Sequence, residues 1–181
     1  MFEHVTVQRD CNAITIPYGE TVTLSKNSEV VITQALGSSY TINDNGKLLR
    51  VAGKDGDALG QEVSEVAAVS DQPSDDPKVN LARIFEQLKN CYDPEIPVNI
   101  VELGLIYDVK YYQLIDGSNL VHITMTLTSA GCGMGTVIAE DVKRNCLSVV
   151  NVDDVKVTLV SDPPWSYDMI SDAAKLQLGL L

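Results

Sequence analysis

Long hydrophobic runs are missing from this chain. No apolar stretch exceeds five residues, and short ones such as Ile100–Val101 are cut off by charged residues such as Glu102. A helix that crosses a bilayer needs about 20 apolar residues in a row. The start, Met1-Phe2-Glu3-His4, has neither a basic patch nor an apolar core of leader length. The expectation is a soluble cytoplasmic protein with no membrane contact. Cations are also scarce. Thirteen Lys and Arg face 25 Asp and Glu, a net charge of −12, and aromatic residues are only 6%. Such a surface repels phosphate backbones and anionic lipids and offers few stacking platforms, which argues against nucleic-acid partners. No basic arm hides in the total. Residues before Lys78 carry 5 cations and 12 acids, and those from Lys78 onward carry 8 and 13. No pair among Cys11, Cys91, Cys132 and Cys146 is spaced C-x-x-C, and the two histidines, His4 and His122, lie far from all of them. That excludes a zinc ribbon or a thioredoxin-type motif.

The residues that are present fall into two regions. Ala13–Ile16, Thr21–Leu24, Glu29–Thr33, Ser39–Ile42 and Lys47–Val51 are short runs rich in Val, Ile, Leu and Thr. Turn signals separate them, among them Pro17-Tyr18-Gly19 and Asn43-Asp44-Asn45-Gly46. This pattern predicts a small antiparallel barrel or sandwich. Val69–Lys78 is polar and acidic with two prolines and reads as a linker. Asp76-Pro77 fits a helix start. Beyond it the period becomes helical, with Leu81, Ile84, Phe85 and Leu88 on one stripe. Two alternating strands follow (Leu105 to Tyr111 and Val121 to Leu127), joined by Asp116-Gly117. A glycine-rich turn over 131–135 leads into a helix striped by Met134, Ile138, Val142 and Cys146. A strand holding Val155, Val157 and Leu159 comes next, then a last helix capped by Ser166 and ending at Gly179. The crossover should set the third strand parallel to the second. The fold class is α+β: a small N-terminal all-β domain over 1–68, a linker over 69–77, and an α-β-β-α-β-α domain over 78–181 with a three-stranded mixed sheet.

Cys132 carries the chemistry in this reading. It lies between Gly131 and Gly133, where a strand gives way to a helix. Unpaired amides and the helix dipole stabilise a thiolate there, and flanking glycines allow close approach. Cys146 belongs to the apolar stripe of its helix, Cys91 to packing at a helix end, and Cys11 has no ligand partner in reach. Asp93 and Glu95 flank Pro94 and read equally as acceptors on a rigid turn or as solvated turn formers. Asp162-Pro163-Pro164-Trp165 ends the strand next to the one leading to Cys132. In a parallel pair the carboxyl ends open on one edge, where crevices form. Trp165 reads there as a partner anchor or as a side chain packed beneath the prolines. His122 shares the threonine face of its strand. Gly131-x-Gly133-x-Gly135 is not a dinucleotide fingerprint, because Thr136 occupies the final position.

Four stretches in order, Asp93-Pro94-Glu95-Ile96-Pro97, Leu103-Gly104-Leu105-Ile106-Tyr107, Thr126-Leu127-Thr128 through Gly131-Cys132, and Asp162-Pro163-Pro164-Trp165, resemble the PaaD-like metal–sulfur cluster biosynthesis family. The front motifs Ile16-Pro17-Tyr18-Gly19, Gln34-Ala35-Leu36-Gly37 and Asp57-Ala58-Leu59-Gly60 are similar to those of its longer bacterial members. The resemblance implies a non-enzymatic auxiliary factor in iron–sulfur cluster assembly or delivery. Its reactive cysteine maps to Cys132, its acidic turn to Asp93 and Glu95, and its threonine to Thr128. Gly131 and Gly133 then shape the cofactor-binding loop, with Ala130 and Gly133 standing where many relatives have proline. Asp162 and Trp165 face a partner. The implied cargo is a transient iron–sulfur cluster or iron. The implied partners are iron–sulfur scaffold or carrier proteins and apo clients, along with a second copy of the chain. Cluster irons take about four protein ligands, so one cysteine needs a homodimer or a complex with a recipient protein, with small thiols or carboxylates filling the remaining sites. Two other readings are a metal-free interaction adaptor and a cysteine-dependent thiol or acyl transfer enzyme. The second wants a base beside Cys132, which neither histidine supplies in sequence.

Overall fold

A computed structural model describes residues 3–37, 39–63, 78–129 and 133–180. Its contacts divide these residues into two compact units. One holds residues 3–63 together with 94–97 and 133–136; the other holds the remainder.

The first unit is a six-stranded sheet. Its strands are β1 (Glu3–Thr6), β2 (Cys11–Thr15), β3 (Thr21–Leu24), β4 (Glu29–Leu36), β5 (Ser39–Asp44) and β6 (Lys47–Ala52), in the order β1-β4-β5-β6-β2-β3 with every pairing antiparallel. It is one continuous sheet, not the two stacked sheets of a sandwich. β1 has no counterpart in the sequence reading because its short EHVT segment buries none of its residues fully. Asn45 and Gly46 both take positive φ, 50° and 89°, the geometry a two-residue hairpin between right-twisted strands demands. Val7, Ala13, Ile42 and Val51 are fully buried in the core, and Leu59 nearly so. Cys11 is packed among them, and burial, ahead of the Asp55 charge, pushes its thiol pKa up.

The second unit runs α1 (Leu81–Leu88), β7 (Ile106–Gln113), β8 (Asn119–Met125), α2 (Gly135–Leu147, whose first turn clusters with the first unit), β9 (Asp154–Leu159) and α3 (Asp172–Gln177). β7 pairs antiparallel with β8, and β8 pairs parallel with β9, as the crossover rule requires. Val121, Ile123 and Met125 of β8 are each fully buried, and so are Val142 and Cys146 of α2, with Ile138 nearly so.

Three details depart from the sequence reading. Asp76-Pro77 lies outside the described residues, as does the proposed 69–77 linker; α1 begins at Leu81, capped by the Asn80 side chain accepting from the Ala82 amide at 3.0 Å. On α1 the buried face is Ile84, Gln87 and Leu88, while Leu81 and Phe85 stay exposed, because the helix is turned one row from its most apolar stripe. Ser166 precedes a 3-10 turn over Tyr167–Met169 and its side chain caps nothing. The cap of α3 is Ser171, whose hydroxyl accepts from the Ala174 amide at 3.2 Å. Among the described residues no helix is long and apolar enough to cross a membrane.

Candidate functional site at the carboxyl ends of the parallel strands

Cys132 and Gly131 lie outside the described residues, which stop at Ser129 and resume at Gly133. The surroundings are built from described residues. Asp93 sits on the turn after α1, where its amide donates to the Val98 carbonyl at 3.2 Å and Tyr92 bridges Asn99. Its carboxylate is buried, with only 4% exposure, and accepts from the Thr128 hydroxyl at 3.3 Å. A buried carboxylate is tolerated only where hydrogen bonds replace its water shell. The threonine and the acidic turn therefore form one assembly. Glu95, two residues on, is exposed, so the turn has one inward and one outward carboxylate.

Trp165 is anchored as firmly. Its indole N–H donates to the Leu103 carbonyl at 2.7 Å, and its ring lies 5.1 Å from that of Tyr167. The Tyr107 hydroxyl donates to the Pro163 carbonyl at 2.6 Å and pins the proline turn. Gly104, at φ +71°, packs so tightly that a Cβ would come within 2.4 Å of the Met169 carbonyl oxygen. Leu103, Gly104 and Tyr107 thus act as the bed of the Trp loop. Sequence reading placed them in a motif without giving them a task. The available signal was a glycine beside alternating apolar residues, which marks close backbone approach. Asp162 is exposed at the head of the loop.

Thr128 and Trp165 meet across a cavity of about 400 Å³ at the carboxyl ends of β8 and β9. Leu127, Leu159, Val160 and Pro164 supply its other apolar lining, and Thr126 and Ser161 add hydroxyls. The structure therefore brings Asp93, Thr128 and Trp165 into one neighbourhood. Gly133 clusters with the first unit, where its Cα lies against the Tyr18 carbonyl; a Cβ there would approach that oxygen to 2.1 Å. His122 Nε2 and the Thr158 Oγ1 are hydrogen-bonded at 2.8 Å on the sheet face.

The remaining thiols are structural. Cys146 is fully buried, and that burial, ahead of the nearby Cys91, pushes its pKa well up. Cys91 is 2% exposed and its sulfur accepts from the Asn145 side chain at 3.0 Å. Among the described residues no three His, Cys, Asp or Glu side chains converge on a point suited to a metal ion.

Known proteins place this arrangement. Residues 81–159 match the family described as iron–sulfur cluster assembly protein. A Fe-S protein maturation auxiliary factor of Porphyromonas gingivalis is 44% identical over 98 residues, covering 54% of this chain and 90% of that one. The Fe-S protein maturation auxiliary factor SufT of Staphylococcus aureus is 41% identical over 88 residues, covering 49% and 96%. The crystal structure of a domain of unknown function, DUF59, from Bacillus anthracis shares 40% identity with a TM-score of 0.50, over 55% of this chain and 92% of that one. Near-complete coverage of relatives at such identity, together with the mixed sheet and the anchored acidic and Trp turns, shows that the chain belongs to the iron–sulfur cluster assembly protein family.

Proposed function

We propose that this protein is an auxiliary factor of iron–sulfur cluster maturation that passes a cluster or iron to apoproteins, with Cys132 as the thiolate that holds the cargo. The observation that carries this reading is the anchored approach to that cysteine. Thr128, shortly before it in the chain, is tied to the buried Asp93 and faces the cavity walled by Trp165. A thiolate beside a helix start is stabilised by the dipole and by free amides. One thiolate makes a weak, exchangeable grip, which suits cargo that has to leave. Two chains each supplying Cys132, with small thiols completing the set, satisfy the irons during transfer. Asp93, Thr128, Gly131 and Gly133 shape the cargo loop, Glu95 offers an outward carboxylate, and Asp162 with Trp165 meets scaffold, carrier or client. The role is that of a carrier. A cysteine enzyme wants a base in reach of its thiolate, whereas His122 is engaged with Thr158 and His4 lies on β1.

The test is a deletion strain assayed for several iron–sulfur enzymes. Their activities are expected to fall severalfold, to recover with the intact gene, and to stay low with Cys132→Ser. Unchanged activities in the deletion strain would overturn the reading. Anaerobic reconstitution followed by Mössbauer spectroscopy tests the ligand directly: equal iron uptake by wild type and Cys132→Ser would remove Cys132 from the ligand set.

A further inference from the structure

The cavity at the ends of β8 and β9 has four properties beyond its place near the cysteine loop. First, no described residue of its lining carries a charge. Second, it holds an unspent polar group. Thr126 is 3% exposed and its amide donates to the Leu105 carbonyl, yet its hydroxyl takes no partner among the described residues. That hydroxyl belongs to the cavity lining, where a ligand's polar group can bond it. Third, the Trp165 N–H is already committed to Leu103, so the indole offers the cavity an apolar surface. Fourth, the cavity adjoins an open sheet edge. Among the described residues β9 ends the three-stranded sheet and pairs with β8 alone, and Leu159 at its end is 40% exposed while lining the cavity.

We infer that this cavity seats an apolar side chain of an extended polypeptide that lies along the free edge of β9, with basic residues flanking the anchor. The open edge favours a polypeptide over a free small molecule, because an added strand satisfies the exposed backbone groups while its side chain drops into the pocket. Charge fixes the flanks. Asp162 and Asp168 are exposed beside Trp165, the segment Leu159–Asp168 contains no cation, and Lys156 is the one cation on β9. The whole chain adds a field of −12, which steers basic partners inward and repels acidic ones. The inference rests on the maturation reading only in taking the polypeptide to be a carrier or client.

Trp165 is the chain's only tryptophan, so its emission reports on the cavity directly. The intact protein is titrated with acetyl-Lys-Val-Phe-Val-Lys-amide, its counterpart with Glu in place of both Lys, and N-acetylphenylalaninamide. A saturable change in emission is expected with the basic peptide, weakened by about tenfold or more in roughly 1 M salt and in the acidic counterpart. Leu159→Lys, at an exposed position, is expected to weaken basic-peptide binding by a similar factor, whereas Leu176→Lys on α3 leaves it unchanged. Circular dichroism confirms that both variants are folded. Four outcomes overturn the inference: no saturable change, equal affinity for the acidic peptide, no effect of Leu159→Lys, or equal affinity for N-acetylphenylalaninamide. None of them touches the maturation reading, which stands or falls on iron–sulfur activities in the deletion strain.

Discussion

Gly104 shows how much of the site rests on one missing methyl group. Its φ of +71° and its approach to Met169 leave no room for a Cβ. Gly104→Ala is expected to cost about 2–4 kcal/mol, from left-handed strain together with a backbone clash. Urea denaturation measures the loss, and Trp165 emission should shift red as its bed loosens. Cys146 makes a separate prediction. Burial raises its folded pKa above the unfolded value near 9. Below that pH both states keep the proton and the thiol adds no pH dependence. Above it the unfolded chain ionises first, so stability falls as pH rises. Cys146→Ala is expected to flatten that decline, seen as denaturation midpoints measured from about pH 8 to 10.5. In native protein, Cys11, Cys91 and Cys146 should resist alkylation and become labelled only on unfolding, since each is at most 6% exposed. Mass spectrometry of the labelled peptides reads this directly.

At the scale of elements, the serines at the end of the chain separate cap from decoy. Ser171 accepts from the Ala174 amide, and its hydroxyl also bonds Glu102, which ties α3 to the turn before β7. Ser166 makes no such cap. Ser171→Ala is therefore expected to cost about 1–2 kcal/mol and Ser166→Ala only a few tenths, compared by thermal or urea unfolding. Both serines precede helix-compatible residues, so composition does not distinguish them. What decides is that the 167–169 turn ends at Ile170, which goes into the core at 2% exposure and forces the helix to restart at Ser171. α1 shows the same effect. Its apolar stripe was legible, but which row faces inward was set by tertiary packing, which buries Gln87 and leaves Phe85 exposed.

For the whole molecule, the relatives match about half of this chain while covering at least nine-tenths of themselves. The family match spans 81–159. Residues 78–181 produced as a separate chain are therefore expected to fold cooperatively, by circular dichroism and thermal melting, and to restore most iron–sulfur enzyme activity in the deletion strain. A fragment that folds but restores nothing would assign an essential task to the β-rich region that such relatives do without.

Periodicity and turn chemistry in the sequence by themselves determined the all-β front, the order of helices and strands behind it, the parallel placement of β9 and the burial of Cys146, because these follow from local rules of spacing, capping and handedness. The order of motifs determined the family. Tertiary structure alone decided which of two carboxylates is buried, because Asp93 and Glu95 are chemically alike and it is Asp93 that the fold buries beside Thr128. It also decided that Leu103, Gly104 and Tyr107 hold the Trp loop, and that two strand ends and that loop enclose a cavity. Those facts depend on residues dozens of positions apart being brought within a few ångströms, a distance that no local pattern encodes.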